Sequence, residues 1–204
     1  MKKSLILLIT CIMAVSMTGC GGDSSSSKAE NETSALTSTE AVSQNLADTP
    51  LDILNTVWDS YGDDEKFPAA GGDFSESNNN MDGPGVYGIE DAEGIESLFG
   101  LPAASVGKLE SAASLMHMMN ANTFTCGAFR LKEGEDALLA ASEIKDTLMV
   151  RDWLCGFPDK LIIFTGGNDA VVCFGNAEIT DTFKAKFTAA FPDAEIAFEE
   201  NLIV

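Results

Sequence analysis

From residue 122 onward, apolar and polar positions change period in a regular way. Asn122 to Leu131 is rich in Thr and Phe, as a strand is. From Glu135 to about Val150, Ala137, Ala141, Ile144 and Leu148 recur at helical spacing. Lys160 to Thr165 is an apolar strand, Gly166-Gly167-Asn168-Asp169 turns the chain, and Ala170 to Phe174 returns as a hairpin partner. Asn176 can cap a following helix whose inner positions are Ile179, Phe183, Phe187 and Ala190, and Pro192 stops it. Ala194 to Glu199 alternates apolar and polar, the pattern of a half-buried strand.

The order β-α-β-β-α-β over about 122–199 predicts an α+β domain with the split, ferredoxin-like arrangement of an antiparallel sheet. Right-handed crossovers in that arrangement put both helices on one face. Leu161-Ile162-Ile163-Phe164 and Val171-Val172-Cys173-Phe174 are apolar on both sides, so the other face needs cover as well. The usual ferredoxin-like strand order would leave 160–165 at an edge, where an apolar strand invites aggregation. A rearranged order, or cover from the 63–88 loop, would remove the conflict.

Upstream lie two or three helices expected to pack on this sheet. Thr49-Pro50 is a cap followed by a first-turn proline, and Leu51, Leu54, Trp58 and Tyr61 continue at helical spacing to near Gly62. Asp91 to Phe99 reads as a short helix closed by Gly100. Pro102 to about Asn120 reads as a third, with Val106, Leu109, Ala113 and Met116 as its stripe. Residues 63–88 read as a long polar loop. Gly83-Pro84-Gly85-Val86-Tyr87-Gly88 spells GxGxxG there, but no strand precedes it and Glu90, Asp91 and Glu93 follow where they would repel phosphate. Asn78, Asn80, Asp82 and Gly83 match the first half of a calcium loop, yet its twelfth position is Ile89. Met116-His117-Met118-Met119 offers soft ligands, but consecutive helical residues point apart and cannot converge on one ion. No cofactor, metal ligand or catalytic residue is assigned on these grounds.

The N-terminus changes the picture. Lys2 and Lys3 precede an apolar run from Leu5 to Val15, which is too short to span a bilayer, where about 20 residues are needed. A charged start, a short apolar middle and a small-residue end make an export signal. Met17-Thr18-Gly19-Cys20, followed by Gly21-Gly22, resembles the lipobox of bacterial lipoproteins, with Met17 where Leu is usual. That resemblance implies diacylglycerol on Cys20 and removal of residues 1–19. It places the chain on the outer face of the cell membrane, where two acyl chains anchor stably and one only marginally. Residues 20–49 then form a tether: 11 of the 29 residues after Cys20 are Ser or Thr and none is aromatic. As a flexible coil it would span about 30 Å. The globular domain is expected over 50–204.

Without Lys2 and Lys3, 10 basic residues face 32 acidic ones. Such a surface excludes nucleic acid as a partner and favours cations or basic groups. Cys126, Cys155 and Cys173 remain once Cys11 and Cys20 are accounted for, with no CxxC among them. The pattern indicates no disulfide framework; one bridge is open to an exported protein, but Cys126 and Cys173 sit inside apolar strand-like runs and are expected as buried free thiols.

Trp153-Leu154-Cys155-Gly156-Phe157-Pro158-Asp159-Lys160 through Phe191-Pro192 resembles small lipoproteins of Clostridia-type bacteria that carry a domain of unknown function. The likeness covers roughly residues 90–200, implies a Gram-positive setting, and brings no activity. The expected function is therefore a membrane-anchored, extracytoplasmic binding or accessory module for a protein or small ligand. Its candidate binding residues are Tyr87, Trp153 and Phe157, aromatics beside Gly and Pro that can form a preset rim. The alternatives are an extracytoplasmic enzyme, with Cys155 near Arg151 and Lys160 as its nucleophile, and a calcium-binding surface domain.

Overall fold

A computed structural model describes residues 44–73, 75–154 and 156–202. The export signal, Cys20 and most of the tether lie outside the described residues, as does Cys155. Among the described residues the fold is mixed α+β, with five helices and one seven-stranded antiparallel sheet. No helix among them is long and apolar enough to cross a membrane.

The first helix, α1 (Pro50–Asp59), starts as its sequence demands. Thr49 Oγ1 accepts the Asp52 N–H at 3.1 Å, and Pro50 occupies the first turn. Helix α2 (Ala92–Phe99) is capped by Asp91 and closed by Gly100 at φ 84°. Helices α4 (Ala137–Met149) and α5 (Ala177–Ala190) are capped by Asp136 and Asn176. Four strands fall where the period predicts them: β4 (Phe124–Leu131), β5 (Lys160–Gly166), β6 (Asp169–Gly175) and β7 (Glu195–Asn201).

Residues 103–119 are not one helix. A four-residue helix α3 (Ala103–Val106) ends at Gly107, and Leu109–His117 is a strand, β3. The apolar positions at 106, 109, 113 and 116 matched a helical period because β3 is covered on both faces. Ala112 faces one core while Ala113 and Leu115 face the other. A strand buried on both faces loses the alternation that would identify it. The 63–88 loop also carries two short strands, β1 (Ala69–Ala70) and β2 (Gly85–Tyr87), both paired with β3.

The strand order is β1-β3-β4-β6-β5-β7, with β2 also on β3. This is not the ferredoxin-like order. The place beside β4 is taken by β3, and the last strand pairs with β5 instead. Strand β5 is therefore internal, which removes the exposed apolar edge.

The same change moves a helix. The crossover through α4 leads from β4 to β5, and that through α5 from β6 to β7. Both step the same way across the sheet, but they leave strands of opposite direction. Two right-handed crossovers so related must pass over opposite faces. The cores agree, and the expectation of both helices on one face is overturned. Ala141, Ile144 and Leu148 of α4 pack with Phe99 of α2 against Leu161, Ile163 and Val172. Phe183 and Phe187 of α5 pack with Leu54 and Trp58 of α1 against Ile162, Phe164 and Val171.

Residues 44–49 belong to the fold rather than to a free tether. Leu46 N–H donates to Asp169 Oδ2 at 2.8 Å, and Arg130 donates to the carbonyls of Ala47 and Asp48 at 2.7 and 3.2 Å. Arg130 and Asp169 are themselves a buried ion pair between β4 and β6. Burial pushes the Asp169 carboxyl up, against the pull of the Arg130 guanidinium and the Leu46 N–H.

Candidate binding surface

The 63–88 loop is built by glycine and one carboxylate. Gly71, Gly72 and Gly85 let backbones meet over β3. A Cβ on Gly71 would sit 2.3 Å from the Gly85 nitrogen, and one on Gly72, at φ 90°, would sit 1.9 Å from the Asn78 oxygen. The buried Ser114 hydroxyl fills the remaining gap, accepting from Gly72 N–H at 2.9 Å and donating to its carbonyl at 3.2 Å. The GxGxxG letters thus encode close backbone packing. Asp73 accepts from the Ser75 N–H, the Asn78 amide and the Gly88 N–H. Hydrogen bonds from Ser75 in the first place, then from Asn78 and Gly88, hold its carboxyl down at about 2. Of the calcium-like residues, Asn78 is paired with Asp73, Asn80 donates to the Pro84 carbonyl, and the Asp82 carbonyl accepts from the Trp58 indole. Among the described residues, no three His, Cys, Asp or Glu side chains gather as a metal site.

The three candidate aromatics do not share one place. Tyr87 is buried, edge-on to Phe99 with ring centres 5.1 Å apart, and burial pushes its hydroxyl pKa up. Trp153 is half-buried on Phe174 at 5.3 Å, with the Arg151 guanidinium 5.1 Å above its ring. Arg151 in turn donates to the Glu96 carbonyl at 2.9 Å, which ties the loop to α2. Phe157 is 73% exposed, and Leu154 is 88% exposed.

Phe157 has neighbours that the sequence did not bring forward. The turn between β3 and β4 runs beside its loop: the Asn122 amide donates to the Gly156 carbonyl at 3.2 Å. Gly156, at φ 102°, lies so close that an added Cβ would be 3.2 Å from the Asn120 amide nitrogen. On this turn Met118 and Met119 are exposed, Met119 at 75%. With Met81, Leu98 and Met116 they line an apolar cleft of about 340 Å³. His117 borders it, stacked on Phe67 at 5.6 Å, its Nδ1 accepting the Met119 N–H. The signal for this surface was the Met-His-Met-Met run itself. Read as helix it pointed in all directions, whereas as the end of a strand and a turn it leaves two methionines outside.

Both loops are held at their ends. The Met118 N–H donates to the Pro68 carbonyl at 2.8 Å, and the Asp159 N–H to the Gly175 carbonyl at 2.8 Å. The apolar residues of the two loops therefore flank anchored backbone positions. They lie at the end of the sheet where β3 and β6 finish. Residues 44–49 are seated at the other end, beside Asn168 and Gly166. The seven residues of β6 separate the two ends by about 20 Å.

A second cleft, of about 470 Å³, opens at that far end and is lined by Glu135, Asp136, Asp193 and Glu195. It is the larger of the two, but its Asp136 is committed to the N–H groups of Leu138 and Leu139 and no basic side chain lines it. The apolar cleft is the better binding candidate, because desolvating its exposed Met81, Met118 and Met119 is favourable while desolvating four carboxylates is not. No family model, no curated protein and no solved structure matches this chain.

Proposed function

We propose that this protein is a lipoprotein of the outer face of the cell membrane, held by diacylglycerol on Cys20, whose folded domain is a binding or accessory module for a protein partner. The anchoring part rests on the signal ending in Met17-Thr18-Gly19-Cys20. The observation that carries the binding part is the apolar cleft lined by the exposed Met81, Met118 and Met119, with the exposed Phe157 following Gly156, whose carbonyl accepts from Asn122 on the same turn. Monomeric proteins rarely leave such residues clustered without a use. The cleft lies at the opposite end of the sheet from the seat of residues 44–49. Methionines suit a surface that must adapt to its partner, and the chain's excess of acidic over basic residues favours basic groups on that partner.

Two measurements test the two parts separately. Mass spectrometry of the native N-terminus should find a lipid-modified Cys20, and an unmodified chain would refute the anchoring. A photo-crosslinker at position 157 should give a discrete adduct in intact cells that the same probe at Leu139, exposed on α4, does not give. Met119→Asp should abolish that adduct without altering the fold's circular dichroism. Equal crosslinking at both positions would refute the surface.

A further inference from the structure

Cys126 on β4 and Cys173 on β6 are direct partners in an uninterrupted antiparallel register. Both side chains are fully buried in the core shared by α1 and α5, and both are free thiols here. The kind of pair they form follows from the hydrogen bonds at the two ends of the ladder. The Asn176 N–H donates to the Thr123 carbonyl, and the Leu131 N–H to the Asn168 carbonyl, each at 2.8 Å. Both bonds fall on pairs in the same register as Cys126 and Cys173, and in both the residue preceding or on β4 is odd-numbered. Hydrogen-bonded and non-hydrogen-bonded pairs alternate along an antiparallel ladder. Cys126, being even, therefore sits at a non-hydrogen-bonded pair, where Cα atoms are about 4.5 Å apart and side chains lean together. Disulfides span Cα separations of about 4.4 to 6.8 Å.

We infer that Cys126 and Cys173 form a cross-strand disulfide when the chain folds in the presence of a disulfide oxidant. One thiolate attacks the oxidant's sulfur–sulfur bond and expels one thiol, leaving a mixed disulfide. The second thiolate attacks the cysteine sulfur of that mixed disulfide, forms the Cys126–Cys173 bond and expels the second thiol. Two electrons and two protons pass from the pair to the oxidant, which becomes two thiols. Closure belongs to folding rather than to the finished fold. Once packed, the sulfurs are shielded from reagent, and burial disfavours both thiolates. The bridge would enclose α4 and β5, and so would lock β6 to β4 across the first crossover. The inference rests on register alone. An extracytoplasmic location would supply the oxidising surroundings but is not required by the geometry.

The test refolds the full chain from denaturant in a mixture of reduced and oxidised glutathione, without membrane, so its outcome is independent of lipid anchoring. Remaining thiols are alkylated under denaturing conditions and the digest is read by mass spectrometry. A parallel sample carries Cys11→Ser, Cys20→Ser and Cys155→Ser. The expected result in both samples is a peptide containing Cys126 joined to one containing Cys173, lost on reduction. Recovery of both residues as alkylated thiols, as glutathione adducts, or bridged to another cysteine would overturn the inference.

Discussion

Arg130→Met removes the cation of a buried pair and leaves its anion in place. Asp169 is fully buried, and Arg130 is 8% exposed. Arg130 gives Asp169 two hydrogen bonds, through Nε to Oδ1 and through Nη2 to Oδ2, and the Ala47 and Asp48 carbonyls one each. After the change, the Asp169 carboxylate keeps the Leu46 N–H as a donor, and the two carbonyls lose theirs. Breaking a buried pair from one side costs about 3–5 kcal/mol, chiefly from the stranded charge. The double variant Arg130→Met, Asp169→Leu removes that charge as well. It should recover most of the loss, retaining a deficit of about 1–2 kcal/mol for the hydrogen bonds to residues 46–48. Urea unfolding measures both. The pH dependence has a definite sign. Burial already pushes Asp169 up, and losing Arg130 pushes it further. A carboxyl whose pKa is raised on folding destabilises the fold increasingly as pH rises from its unfolded value to its folded one. The Arg130→Met deficit should therefore shrink as pH is lowered across that interval. Hydrogen exchange at the Leu46 amide should quicken in both variants. A single-variant loss under about 1 kcal/mol, or a double variant no more stable than the single, would refute the reasoning.

Phe187→Ala should destabilise by about 3–5 kcal/mol in urea unfolding, since its fully buried ring stacks 4.1 Å from Phe164 and also meets Phe183 and Phe191. Gly127→Ala places a Cβ 2.7 Å from Phe99 and 2.9 Å from Phe129, both fully buried, so thermal unfolding should report a loss of about 1–3 kcal/mol from overpacking. Asp73 contributes stability above the ordinary carboxylate range, and that contribution is lost as pH falls through about 2. Asp73→Ala should speed hydrogen exchange at the Gly88 amide at neutral pH and leave that of the β5 amides unchanged.

Helices α1, α2, α4 and α5 and strands β4 to β7 were legible from the chain alone because each carries its own punctuation. Thr49, Asp91, Asp136 and Asn176 cap their helices through side-chain oxygens, and Gly100 and the Gly166–Asp169 turn end elements locally. Such signals act over a few residues and do not depend on what packs against them. The α+β class followed from their order. Strand β3 was not legible, since its inner positions are divided between two cores and no single period remains. Nor was the strand order. The choice of β5 rather than β4 as the neighbour of β7 is made by contacts far apart in sequence, and it alone sends α4 and α5 to opposite faces. The candidate surface was half visible. Phe157 stood out beside Gly156 and Pro158, but Met118 and Met119 became surface only once β3 ended in a turn against the same loop. The apolar doubling of Leu161–Phe164 and Val171–Phe174 did announce, from sequence, that both faces of the sheet are covered. Which helices cover them, and which cysteine faces which, is a matter of register, and register is set only when the whole sheet assembles.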